Sequence, residues 1–306
     1  MKEIDGGGPQ RLERRIALPT LADHMRRMRK RRELTQHGLA EVSGVSPSYI
    51  QKLETSNLDN PSREYTTMIA DALQLSGSDR QTLFYLTGLD PVYPLPDVAQ
   101  LRAQLTEQQH QELEARDTDL LAYFDPRWNL LACNTAYDYA FPGLAKAGNI
   151  MLWYFGAPES KQVLLDWPRE AALNMAWFRG LVARFHPAPW LQEFIGQLEQ
   201  HPEFVRMWGA NQETVYGRDA RDPLMYMLDP GSGEPYTLRV EQYTITNNGH
   251  KINRFVGIRE AEFIPPLPPT IGRSSSRPYG SRPKPQRDNN TEAAEPAERA
   301  DDGECA

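Results

Sequence analysis

Cysteine is nearly absent: Cys133 and Cys305, far apart in 306 residues, argue for a reducing compartment and against a disulfide framework, and no partners for a zinc site accompany them. No apolar run approaches the roughly 18 residues of a membrane span, and MKEIDGGGPQ at the start lacks the apolar core of a signal peptide. The expected location is the cytoplasm, in association with the nucleoid, with no membrane partner. Catalytic motifs are also missing. His186, His201, His250 and Cys133 have no glycine-bounded nucleophile, HExxH, phosphate loop or Cys/His cluster around them, so neither catalysis nor a metal or cofactor is expected. Positive charge is short overall, 34 Lys and Arg against 41 Asp and Glu, a net charge of -7 that by itself speaks against nucleic acid.

The positive charge that is present is concentrated. Arg26, Arg27, Arg29, Lys30, Arg31 and Arg32 crowd residues 21–33, either as a solvated helix face or, beside a DNA-binding motif, as a phosphate-facing surface. That neighbour follows at once. Residues 35–54, TQHGLAEVSGVSPSYIQKLE, read as two short helices joined by a tight turn. Thr35 caps the first helix, and Ser46 with Pro47 makes the cap and first turn of the second. Gly44 can take positive φ at the corner, and Leu39, Val45, Ile50 and Leu53 face inward at helical spacing. A polar outer face is left over residues 46–54. A further helix begins at Asn60-Pro61-Ser62, and residues 78–86 read as a fifth.

Residues 21–87 resemble the five-helix, lambda-repressor-like DNA-binding domain of the Xre/Cro-type regulators. The likeness rests on Leu34-Thr35-Gln36, Leu39-Ala40, Gly44-Val45-Ser46, Tyr49-Ile50, Leu53-Glu54, Pro61-Ser62, Ile69, Leu73 and Leu83. It implies an all-α domain on a double-stranded DNA operator, with Gln36 on a phosphate and Ser46, Ser48, Gln51 and Lys52 toward the major groove. Tyr49 lies at the edge of that face. Arg63 is either a minor-groove or phosphate contact or a plain surface arginine. A homodimer on two half-sites is expected, because one recognition helix buries too little surface for tight, specific binding. Thr55-Ser56 stands where the family usually closes the helix with glycine, and Asn57 is the expected left-handed cap.

The organisation expected along the chain is a flexible start over 1–18, the DNA-binding domain over 19–88, a linker and connecting helix over 89–117, an α+β domain over 118–263 and a disordered tail over 264–306. The α+β reading comes from strands at 120–124, 128–134, 224–228, 236–246 and 254–260, with proline-punctuated helices over 149–208. The tail, basic and then acidic, cannot bury a core; it is either an inert solubilising segment or an addition to DNA binding.

Residues 118–260 resemble the MmyB-like, PAS-like ligand-binding domain found behind Xre-type motifs. Asp125-Pro126-Arg127-Trp128, Leu131-Ala132-Cys133-Asn134, Asn149 and residues 202–208 carry the likeness, and Asn211 stands where many members have a histidine. It implies a small apolar, fatty-acid-like ligand in an aromatic pocket, for which Tyr123, Trp128, Trp153, Trp177 and Trp208 are the candidates, each either pocket or plain core. The whole then reads as a ligand-sensing, sequence-specific transcriptional regulator. The alternative is a constitutive DNA-bound adaptor whose second domain is an interaction or dimerisation module without ligand.

Overall fold

A computed structural model of the chain describes residues 15–55, 61–75, 77–89, 95–115 and 118–266. Five helices come first: α1 (Leu21–Arg31), α2 (Gln36–Ser43), α3 (Pro47–Glu54), α4 (Arg63–Ala72) and α5 (Gly77–Leu86). Their starts are set locally. The side chains of Thr20, Thr35, Ser46 and Ser62 accept from the backbone N–H of Asp23, Gly38, Tyr49 and Tyr65, each satisfying a donor that a helix start leaves open. Gly44 turns α2 into α3 at a φ of +70°, a conformation that strains a side chain. Met25, Met28, Leu39, Ile50, Leu53, Ile69, Leu73 and Leu83 form the core beneath. The C-terminus of α3 is closed by the Thr55 hydroxyl, which donates to the Gln51 carbonyl at 2.9 Å. Asn57, the expected cap, lies outside the described residues, as do the first fourteen residues, the proline-rich 90–94 and the tail beyond 266.

Two helices, α6 (Val98–Ala103) and α7 (Glu107–Ala115), lead into strands β1 (Leu120–Phe124) and β2 (Leu130–Cys133). Helices α8 (Thr135–Ala140), α9 (Leu144–Ala147), α10 (Ile150–Gly156), α11 (Glu159–Val163), α12 (Trp167–Phe185), α13 (Pro189–Leu198) and α14 (Pro202–Ala210) follow. Strands β3 (Leu224–Leu228), β4 (Pro235–Asn247) and β5 (His250–Arg259) complete an antiparallel sheet ordered β2-β1-β5-β4-β3. The architecture is the expected all-α domain followed by an α+β domain. β4 and β5 turn on Asn248 and Gly249, both at positive φ (47° and 82°), the two-residue loop that matches strand twist.

Several boundaries differ from the sequence reading. The connecting helix expected within 89–117 is two helices, α6 and α7. The break is a capping box at Thr106, whose N–H donates to Gln109 Oε1 at 2.7 Å while the Gln109 N–H donates back to its hydroxyl at 3.2 Å. Leu101, Leu105 and Leu113 pack these helices onto the sheet against Leu121, Tyr123, Leu131, Ile252 and Val256, so they cover a face of the α+β domain. Within the helices expected over 149–208, the stretch 159–185 forms two, α11 and α12. β2 begins at Leu130, not at Trp128. Residues 15–18, expected within a flexible start, are held: the Arg15 and Ile16 N–H groups donate to Glu199 Oε1 at 2.9 and 3.0 Å.

Candidate DNA-recognition surface and ligand cavity

Helix α3 presents Ser46, Pro47, Ser48, Gln51 and Lys52 to solvent and buries Ile50, Leu53 and Glu54. Its angle is fixed from behind by charge. The Glu54 carboxylate receives Arg29 Nε at 2.6 Å, Arg29 Nη2 at 2.7 Å and Gln36 Nε2 at 2.8 Å, tying α1, α2 and α3 together. Burial by itself raises the Glu54 pKa, but these donors hold it below the usual carboxylate range. Tyr49 is braced edge-on against Tyr65, ring centroids 5.0 Å apart. Several members of the basic run also bond within the domain: Arg32, just past α1, donates to the Leu73 carbonyl at 2.8 Å and Arg31 pairs with Asp79 at 3.0 Å, while Arg26, Lys30, Arg31 and Arg32 stay exposed to solvent.

In the second domain the seam between sheet and helices opens into a cavity of about 460 Å³. Phe124, Val240 and Phe255 supply its sheet wall, Ile150, Asn174 and Trp177 its helix wall, and residues 216–220 with Pro223 a further side. Its mouth is shaped by a tight turn. The fully buried Asp125 carboxylate takes the N–H groups of Arg127 and Asn129, both at 2.8 Å, together with Arg127 Nε at 2.8 Å. This turn holds Trp128 at a φ of +68°, rare for a bulky residue, and aims its indole at the cavity edge-on to Trp177 at 5.0 Å. Arg218 lines the cavity with its guanidinium fixed. Nη1 donates to the Leu224 carbonyl at 3.0 Å, Nη2 donates to the fully buried Glu170, and Nε is buried without a partner among the described residues. Tyr216, also on the lining, hydrogen-bonds Thr82 of α5 at 3.0 Å and lies edge-on to Tyr85.

Two family models match. Residues 20–83, spanning α1 to α5, match a helix-turn-helix domain, and residues 113–221 match the MmyB-like transcription regulator ligand binding domain. The chain is a helix-turn-helix transcription regulator with an MmyB-like ligand-binding domain. No curated protein matches it. Neither matched family is enzymatic, and among the described residues no helix is long and apolar enough to cross a membrane.

In this regulator Ser48, Gln51 and Lys52 share one exposed face, with Ser46 beside them, its hydroxyl accepting the Tyr49 N–H at 3.3 Å. Gln36 is turned onto Glu54 rather than outward. Arg63 reaches the Leu89 carbonyl at 3.0 Å and stacks over Phe84, toward α5 and away from α3. Of the five aromatic candidates, Trp128 and Trp177 line the cavity and three do not. Tyr123 lies on the opposite face of the sheet, its hydroxyl donating to Glu112 and its pKa raised to about 12 by burial and then by that carboxylate. Trp153 is core, donating to the Pro142 carbonyl at 2.8 Å. Trp208 packs in the helical layer and donates to the Ala17 carbonyl at 2.9 Å. Cys133 is a half-buried thiol raised to about 11 by burial and by Asp138, inert rather than nucleophilic. Sequence reasoning does not find Tyr216 or Arg218. They sit in an irregular stretch between α14 and β3 with no periodicity to flag them, and loops of that kind often carry function.

Proposed function

We propose that this regulator binds a double-stranded operator as a homodimer, reading bases with Ser46, Ser48, Gln51 and Lys52, and that a small apolar molecule in the MmyB-like cavity changes its DNA affinity. The observation that carries the reading is Tyr216, whose ring lines the cavity while its hydroxyl bonds Thr82 of the helix-turn-helix domain. A ligand that moves residues 216–220 therefore acts on α5 directly. A cavity of about 460 Å³ is of small-ligand size, and its lining joins aromatic and aliphatic residues such as Phe124, Trp177, Val240 and Phe255 to polar ones that include Arg218, Arg239 and Arg254. An apolar chain ending in an oxygen acceptor, a fatty-acid-like molecule, fits that chemistry.

Denaturing mass spectrometry of the purified chain should release such a molecule, and palmitate added to stripped protein should alter the emission of Trp128 and Trp177. Operator affinity should then respond to palmitate in the native sequence and not in Tyr216→Phe. Binding without any change in operator affinity rejects the coupling; no binding by any apolar acid leaves the constitutive adaptor. Replacing Gln51 and Lys52 together by alanine should cost about 1–3 kcal/mol per true base contact and relax sequence preference, and unchanged preference removes them as readers.

A further inference from the structure

A second cavity, about 780 Å³, lies where α1 meets α12 and α14. Arg15, Arg26, Arg27, Lys30, Arg31 and Arg179 all line it, and the only carboxylate on its wall, Asp23, is paired with Arg26 at 3.0 Å. Arg31 is neutralised by Asp79. Arg27 and Arg179 form no such ion pair among the described residues, although Asp79 and Asp23 act on Arg27 at longer range. Arg27 donates to Gln212 Oε1 and to His24 Nδ1, both at 3.0 Å, which are neutral acceptors. Arg179, only 7% exposed, donates to the Trp208 carbonyl and stacks over that indole at 4.1 Å, with no carboxylate partner among the described residues. A buried guanidinium without a counter-charge is costly to hold, several kcal/mol after relaxation. Burial and the neighbouring Arg27 lower Arg179 to about 10.

We propose that this cleft is an effector site for a compact oxyanion of two or more negative charges, a phosphate-bearing small molecule, clasped between Arg27 of α1 and Arg179 of α12. Guanidinium forks match phosphate oxygens two at a time, and the anion supplies Arg179 with the counter-charge that no described residue gives it. Because one arginine comes from each domain, the anion ties the helix-turn-helix domain to the ligand-binding domain. The site is separate from the apolar cavity and stands whether or not that cavity takes a lipid.

Inorganic pyrophosphate is the probe, added to the full chain at ionic strength matched with sodium chloride. Calorimetry should show saturable binding to the native sequence, weakened at least tenfold in Arg179→Gln and in Arg27→Gln, and unchanged in the Gln51→Ala/Lys52→Ala double variant. Arg179→Gln keeps an amide donor for the Trp208 carbonyl and removes the buried charge, so its melting temperature without anion should not fall; Arg27→Gln is the independent check if it does. No saturable binding, or equal binding in both arginine variants, overturns the proposal. So does a loss of operator affinity in Arg179→Gln with a flatter salt dependence, because the cleft would then be neutralising DNA phosphates.

Discussion

Truncating Glu54 to alanine tests how the recognition helix is held. The side chain is 1% exposed and its partner Arg29 12%, so the pair is effectively desolvated. Deletion removes three charge-assisted hydrogen bonds at 2.6, 2.7 and 2.8 Å and leaves the Arg29 guanidinium with only the Leu34 carbonyl, at 2.7 Å. Breaking one side of a buried pair costs about 3–5 kcal/mol, mostly the uncompensated charge, a large fraction of a small domain's stability. Glu54→Gln keeps one acceptor and should fall at the low end. The Arg29→Met/Glu54→Leu double variant, which buries no charge, should be more stable than either single variant.

All six tryptophans lie between residues 128 and 208, so tryptophan emission reports the ligand-binding domain and far-UV circular dichroism reports both domains. Urea titration of Glu54→Ala should show an early loss of helical signal at constant tryptophan emission, with operator binding lost in parallel. A shift below about 1 kcal/mol, or a double variant less stable than Glu54→Ala, refutes the reasoning.

Acid should weaken the first domain through His24. Arg27 donates to its Nδ1, so Nε2–H donates to the Asp79 carbonyl at 3.0 Å and the ring is neutral; burial and Arg27 lower its pKa from 6.5 to about 4. The unfolded chain takes up the proton first, so stability is full above pH 6.5 and falls as pH drops toward 4, by about 3 kcal/mol in the limit. A His24→Gln variant with the same acid profile rejects this. Gly180→Ala would place a Cβ 2.7 Å from Tyr216 Cε1 and 3.1 Å from the Val215 carbonyl, so overpacking outweighs the gain in helix propensity of about 1 kcal/mol. Ligand binding should survive while its effect on operator affinity disappears; an intact effect counts against Tyr216 as the link. Arg32→Ala should cost about 1 kcal/mol of stability and leave the salt slope of DNA binding unchanged, whereas a slope flatter by about 0.9 makes Arg32 a phosphate contact.

What the sequence reveals is what is decided within a few residues. Thr35, Ser46-Pro47 and Gly44 are legible because a cap bonds three residues ahead and a left-handed corner selects glycine. The Thr106 to Gln109 capping box and the Asn248-Gly249 hairpin turn are equally local signals. The pairings of Arg29 and Arg32 are not legible, because their partners, Glu54 and the Leu73 carbonyl, lie 25 and 41 residues away. Nor could the aromatic residues be sorted. All five positions of β1 are buried, so no polar alternation marks which face holds Tyr123, and the backbone geometry that aims Trp128 depends on the buried Asp125 turn.

The pairings of Arg27 and Arg29 limit how strongly ligand and DNA can be coupled. The position of α3 is referenced to α1 through Glu54 and Arg29, while α1 and α5 are referenced to residues 212–216 through Arg27 with Gln212 and Thr82 with Tyr216. Both routes from the apolar cavity to the recognition helix therefore run through single hydrogen bonds, each worth about 1 kcal/mol net. A ligand that breaks or makes both can bias the DNA-binding arrangement by about 2 kcal/mol, or roughly 30-fold in operator affinity. A larger response requires the α5 to α12 packing itself to separate, which would expose Tyr85 and Tyr216 and raise proteolytic cleavage between residues 210 and 223 in the ligand-bound form.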